Sequence, residues 1–175
     1  MPRQAALFRG INVGRNRRVS MADIRETLEE HYDDVRTHGQ SGNVVFSTAK
    51  SGKALERELE HLMVADLGLE TRILVRTAAE LARIVKRNPI AEAVKNPSRY
   101  LVTFLADKPD AAKARALRGD FGTEHALLHG KEVYSWHPAG LQRSKLAALI
   151  ADGLGTVGTA RNWNTVEKLR ELTSD

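Results

Sequence analysis

The chain has 175 residues, 42% of them hydrophobic and 28% charged, with a net charge of +5, a globular balance that excludes a disordered or fibrous chain. It contains no cysteine, which removes disulfides, thiolate metal sites, iron–sulfur clusters and a cysteine nucleophile. No apolar run approaches the roughly 18 residues that span a bilayer, and Met1–Gln4 lead into strand-like sequence without the core of a signal peptide. The expected location is therefore cytoplasmic, with no membrane partner.

The charge is uneven. Arg3, Arg9, Arg15, Arg17 and Arg18 fall in the first 18 residues with no acid among them, a local positive field that attracts phosphates or nucleic acid.

Gln4 to Phe8 is short and apolar enough for a strand, and it runs into Arg9-Gly10-Ile11-Asn12-Val13-Gly14, whose glycines permit tight turns. Ser20 with Asp23 forms a helix-capping pattern, after which Met21, Ile24, Leu28 and Tyr32 recur at helical spacing. Val35–His38 and Asn43–Thr48 read as two strands joined by Gly39-Gln40-Ser41-Gly42. Ser51 opens a second helix with Leu55, Leu59, Leu62 and Met63 on its buried side. Thr71–Val75 is a further strand, and Thr77 with Glu80 makes a capping box over Leu81, Ile84 and Val85. The order β-α-β-β-α-β predicts a ferredoxin-like α+β subdomain over residues 1–95.

Asn88-Pro89 and Asn96-Pro97 bracket the expected connection between subdomains. Residues 96–175 read as a second, smaller β-α-β-β-α subdomain with C-terminal helices. Its expected elements are a strand over Arg99–Ala106, a helix over Asp107–Leu117, a hairpin over Glu124–Trp136 turning at Gly130-Lys131, and a helix from Ser144. The Gly153–Gly158 stretch ends that helix, and Asn164 with Glu167 resembles a cap for the last one, with no fourth strand expected.

The loop Gly10–Arg18 leaves a strand and approaches a helix, where backbone N–H groups and cations converge on an anion. It is neither a P-loop nor a dinucleotide fingerprint. Alternation in Val35–His38 and Thr71–Arg76 places Arg36, His38, Arg72 and Arg76 on the sheet face away from the helices, a basic surface of the kind single-stranded nucleic acid uses. Only Phe46 is available there for stacking, whereas an RNA-recognition strand needs two aromatics. His125 and His129 lie too far apart on one strand to share an ion, so no metal and no cofactor are expected. Ser41 near His38 lacks a nucleophile elbow, and turn chemistry accounts for it.

Arg9-Gly10-Ile11-Asn12-Val13-Gly14, Gln40-Ser41-Gly42-Asn43-Val44-Val45-Phe46 and Ala160-Arg161-Asn162-Trp163-Asn164-Thr165-Val166 together resemble a bacterial domain of unknown function, family 1697 (DUF1697), in the same order along nearly the whole chain. The chain departs from that pattern at Arg15, where a second glycine is common. The resemblance implies a two-part α+β protein of ferredoxin-like character and brings no activity, cofactor or catalytic residue with it.

The three motifs are polar or glycine-containing and lie at element ends, where cores are seldom built. Arg9, Asn12, Gln40, Ser41, Asn43, Arg161, Asn162 and Asn164 supply donors suited to phosphate or a base-like group. The expected function is binding of an anionic or nucleotide-like ligand in a cleft between the subdomains, the partner being a phosphate-bearing small molecule or nucleic acid. The alternatives are a metal-independent enzyme on a phosphate-bearing substrate and a protein–protein interaction module. In the competing structural reading the Asn, Gln and Arg side chains fasten loops and Trp163 plugs a joint.

Overall fold

A computed structural model describes residues 1–13 and 18–174. Gly14, Arg15, Asn16 and Arg17, the middle of the basic loop, lie outside the described residues. The chain divides into two units, Met1–Arg83 with the C-terminal stretch from Lys168, and Ile84–Glu167.

In the first unit the order is β1 (Arg3–Phe8), α1 (Met21–Glu29), β2 (Asp33–Thr37), β3 (Asn43–Ser47), α2 (Gly52–Leu67) and β4 (Ile73–Thr77). The strands form one antiparallel sheet in the order β2-β3-β1-β4, the ferredoxin-like topology that the sequence predicts. Ser20 starts α1 by accepting from Asp23 N, and Met21, Ile24, Thr27 and Leu28 turn inward. Gly68, at φ 61°, ends α2 in the left-handed conformation that costs glycine nothing. Apolar residues at alternate strand positions, Ala6, Phe8, Val44, Phe46, Ile73 and Val75, pack with Ile24, Leu28, Leu55, Leu59 and Met63 as one core.

Helix α3 (Ala78–Arg87) follows β4 directly. Its capping box is reciprocal, Thr77 N donating to Glu80 Oε2 and Glu80 N to Thr77 Oγ1. The division of the chain falls within this helix and not in the proline-flanked connection near residue 95. Tyr134 Oη donates to Ile84 O at 2.8 Å and Tyr100 Oη to Asn88 Oδ1 at 2.9 Å, and these bonds tie the end of α3 into the second unit.

The second unit contains β5 (Tyr100–Leu105), α4 (Ala111–Arg115), β6 (His125–His129), β7 (Glu132–Trp136), α5 (Lys145–Ala151) and β8 (Gly158–Asn162), after which α6 (Trp163–Ser174) begins. Its antiparallel sheet has the order β6-β7-β5-β8, the same path as the first. Strand β8 corrects the expectation that this half ends without a fourth strand. Its inward residues are Thr159 and Arg161, so the strand lacks the apolar alternation by which a half-buried strand is recognised. Leu105, Leu117, Val133, Leu146, Ile150 and Leu154 form this unit's core.

The sheet face away from α1 and α2 also differs from expectation. Ala5, Leu7, Val45, Leu74 and Arg76 are all buried, so Arg76 does not contribute to an open basic platform, while Arg36 and Arg72 remain exposed.

Gly42 lies at φ 91°, and a Cβ there would meet Phe8 Cβ at 2.5 Å and Ile11 Cδ1 at 2.8 Å. Both contacts are core side chains without room to retreat. Gly42→Ala is expected to destabilise the first unit by about 2–4 kcal/mol through strain and overpacking, measured as a lower urea midpoint at unchanged slope.

Candidate functional site

Two of the three sequence motifs meet at one end of the first sheet, where β1 and β2 finish and β3 begins. Asn12, at φ 53°, occupies a left-handed conformation that Asn tolerates better than most residues. Its Nδ2 donates to Val19 O and to Gln40 O, both at 2.9 Å, and its Oδ1 accepts from Val19 N at 2.8 Å. One side chain thus closes its own loop and fastens it to the β2–β3 connection. Beneath it Ile11 is buried, and Phe8 N donates to Gly42 O at 2.8 Å. Asn43 does similar work within the hairpin, its Nδ2 donating to His38 O at 3.0 Å and to Ser41 Oγ at 3.1 Å. Arg9, Arg18, Gln40 and Ser41 are exposed around this joint.

Arg9 also borders a cavity of about 370 Å³. Its backbone is fixed on both sides, its N donating to Arg72 O at 2.9 Å and its O accepting from Thr71 Oγ1 at 2.7 Å. The walls present Arg9, His61, Thr71 and Arg72 on one hand and Glu60 and Glu70 on the other, with Val64 as apolar lining. Glu60 is engaged, Oε1 accepting from Ile73 N at 3.0 Å and from Arg72 Nε at 3.2 Å. The site therefore presents guanidinium groups beside carboxylate acceptors.

The third motif belongs to the second unit and is used internally. Arg161 is 7% exposed, and burial lowers its pKa to about 10. Its Nη1 donates to Thr159 Oγ1 at 2.7 Å and to Ala160 O at 2.9 Å. Asn162 Oδ1 accepts from Thr165 N at 3.0 Å, so the cap of α6 lies two residues before the expected Asn164, which is exposed. Trp163 is buried and stacks on Tyr100 with ring centroids 4.8 Å apart. Of the eight candidate residues, then, Arg9, Asn12, Gln40, Ser41 and Asn43 come together in the first unit, and Arg161, Asn162 and Asn164 stand in the second.

A polar cluster that the sequence does not announce lies under α5. His137 has no exposure. Its Nδ1 is 2.5 Å from Glu124 Oε2 and its Nε2 2.8 Å from Ser135 Oγ. Ser144 Oγ donates to the same Glu124 oxygen at 2.6 Å and accepts from Ala147 N at 2.9 Å, capping α5. The order Ser–His–carboxylate is that of an acyl-transfer triad. Ser135, however, is 1% exposed and on the same sheet face as the core residue Val133, so it presents no nucleophile to solvent. Its work is to satisfy buried polar groups and fix the start of α5. Only the S-x-H alternation and the capping Ser144 were visible in the sequence, because Glu124 and His137 are 13 residues apart.

Among the described residues, Glu30, His31 and Asp66 bring ligand atoms within 4.8 Å of one another, all three exposed. Nothing else marks them as more than a solvated acidic surface.

The chain matches the family described as "Protein of unknown function (DUF1697)" over residues 1–134 and belongs to it. Among solved structures it is similar to the conserved bacterial protein SP0830 from Streptococcus pneumoniae, at 20% identity and a TM-score of 0.79, over 100% of this chain and 99% of that one. This likeness shows the fold. No curated protein matches the chain, and no described helix is long and apolar enough to cross a membrane.

His137→Ala would leave Glu124 and Ser135 without their shared partner in a buried setting. It is expected to cost about 2–4 kcal/mol, read from urea unfolding, and to free the N-terminus of α5, read as faster amide exchange at Ala147 and Ala148.

Proposed function

We propose that this DUF1697 protein binds a nucleotide-like, phosphate-bearing ligand at the end of its first sheet. One observation carries the reading: Asn12 fastens both glycine-containing motifs into a single joint, with Arg9 exposed between that joint and the adjoining cavity. Non-glycine residues held in the left-handed region, such as Asn12 at φ 53°, are common where a surface is shaped for a ligand.

The chemistry of the walls favours a nucleotide over a bare anion. A guanidinium recognises phosphate oxygens in a bidentate, charge-assisted manner, which is the role given to Arg9. Glu60 and Glu70 repel a phosphate but accept hydrogen bonds from hydroxyl or amino groups, which a ribose or a base supplies. A cavity of about 370 Å³ is at the small end for organic ligands and suits one nucleotide better than a long strand. Arg18, Gln40 and Ser41, exposed around the joint, are the positions at which a longer phosphate chain or an oligonucleotide would continue.

Thermal-shift titrations with inorganic phosphate, AMP, ATP and a short RNA test this, since a ligand of the folded state raises the melting temperature by mass action. A nucleotide is expected to stabilise the wild type. Arg9→Ala is expected to weaken its binding roughly tenfold or more, the loss of one charged hydrogen-bond partner. Equal shifts in wild type and variant, or none with any of the four compounds, would overturn the proposal. A response to RNA alone that collapses with added salt would move the assignment to nucleic acid.

A further inference from the structure

The strand edges of the two units are not equally protected. An exposed edge offers unpaired N–H and C=O groups to another chain, and proteins usually block it. Along β4 the N–H groups of Ile73, Val75 and Thr77 donate to Glu60 Oε1 (3.0 Å), Glu56 Oε1 (3.0 Å) and Glu80 Oε2 (2.8 Å). Three carboxylates thus occupy the donors a new strand would need. On β2 the exposed Asp33 and Asp34 and a register shift between Asp33 and Arg36 serve the same end. On β8 only Ala160 is exposed.

Strand β6 has none of these devices. His125-Ala126-Leu127-Leu128-His129 pairs with β7 in an unbroken register and contains no proline, lysine or acid. Leu127 and Leu128 are 48% and 37% exposed. The two-residue turn Gly130-Lys131 makes His129 and Glu132 a hydrogen-bonded pair, so Ala126 and Leu128 direct their backbone groups away from β7. Beside them runs a groove of about 500 Å³ floored by Ala111, Ala114, Leu117 and Ala126, with Arg115 and Arg118 at its rim.

We infer that β6 is a pairing edge at which two copies of this chain join, antiparallel about a two-fold axis at Leu127. The strand is complementary to itself in that register. Ala126 of one copy lies opposite Leu128 of the second, so residues with outward backbone groups face each other and can exchange both N–H···O bonds. Register opposite Ser135 and Val133 places the side chains of Ala126 and Leu128 on the helix-bearing face of the sheet. Leu128 of the second copy therefore arrives beside the small Ala126, where the groove is lined by alanines, while Leu127 meets its own counterpart on the other face. Such an isologous contact closes on itself. The rim arginines of the two copies carry like charge, so salt strengthens the contact by screening them.

Sedimentation velocity of the full chain over a wide dilution series at low and moderate salt tests this. A monomer–dimer equilibrium is expected, tighter at the higher salt. Leu128→Asp is expected to weaken it roughly tenfold or more, and Leu127→Thr, which keeps a strand-forming side chain at an exposed position, to weaken it while leaving the melting temperature near that of the wild type. Leu128→Met should preserve the dimer. A wild type that stays monomeric at every concentration and salt, whether or not an acidic peptide or other partner enters the groove, overturns the inference. So does a dimer that both Leu128→Asp and Leu127→Thr leave untouched.

Discussion

The side chain of Asn12 makes three hydrogen bonds that determine the shape of the candidate site. Without them the loop after β1 and the connection between β2 and β3 are separate surface segments. With them, Arg9, Gln40 and Ser41 are held at one end of a rigid sheet. The sheet supplies the precision: β1 is central, hydrogen-bonded to β3 on one side and to β4 on the other. Arg9 extends that pairing by one further backbone bond, to Arg72, so its Cα is placed by secondary structure.

The two units repeat more than an order of elements. Ala5, the third residue of β1, lies opposite Arg76, the fourth of β4, and Val102, the third of β5, lies opposite Arg161, the fourth of β8. Both arginines are buried, Arg76 on the sheet face away from α1 and α2 and Arg161 on the face away from α4 and α5, and each donates Nη1 to the carbonyl of the residue before it, Val75 or Ala160. A buried guanidinium is costly unless its donors are met, and the same local solution recurs at the same register. Beyond this pair the sequences diverge, and so do the uses. The first unit shapes loops around an exposed arginine, whereas the second holds the Ser135–His137–Glu124 cluster inside.

How much could be read from the sequence follows from which interactions are local. Caps formed within three residues, Ser20 with Asp23 and Thr77 with Glu80, mark helix starts in composition itself, and the apolar alternation of Val44 and Phe46 or Ile73 and Val75 marks strands. These carry the β-α-β-β-α-β order of the first unit. Strand β8 was illegible because its buried side is Thr159 and Arg161, and the fate of Arg76 was illegible because alternation assigns a residue to a face without saying what covers that face. The candidate site divides in the same way. The glycine-containing motifs stand out in the chain, but the bond from Asn12 to Gln40 spans 28 residues, and Asn162 could not be told from Asn164 as the cap of α6 until the helix start was fixed.

The account depends on a nucleotide meeting the joint that Asn12 builds, and amide chemical-shift mapping during an AMP or ATP titration tests this most directly. The account predicts a continuous footprint over Arg9–Val13, Arg18 and Val19, His38–Asn43 and Thr71–Arg72, with the second unit silent. A footprint elsewhere, or no change at these amides at saturating nucleotide, would contradict it.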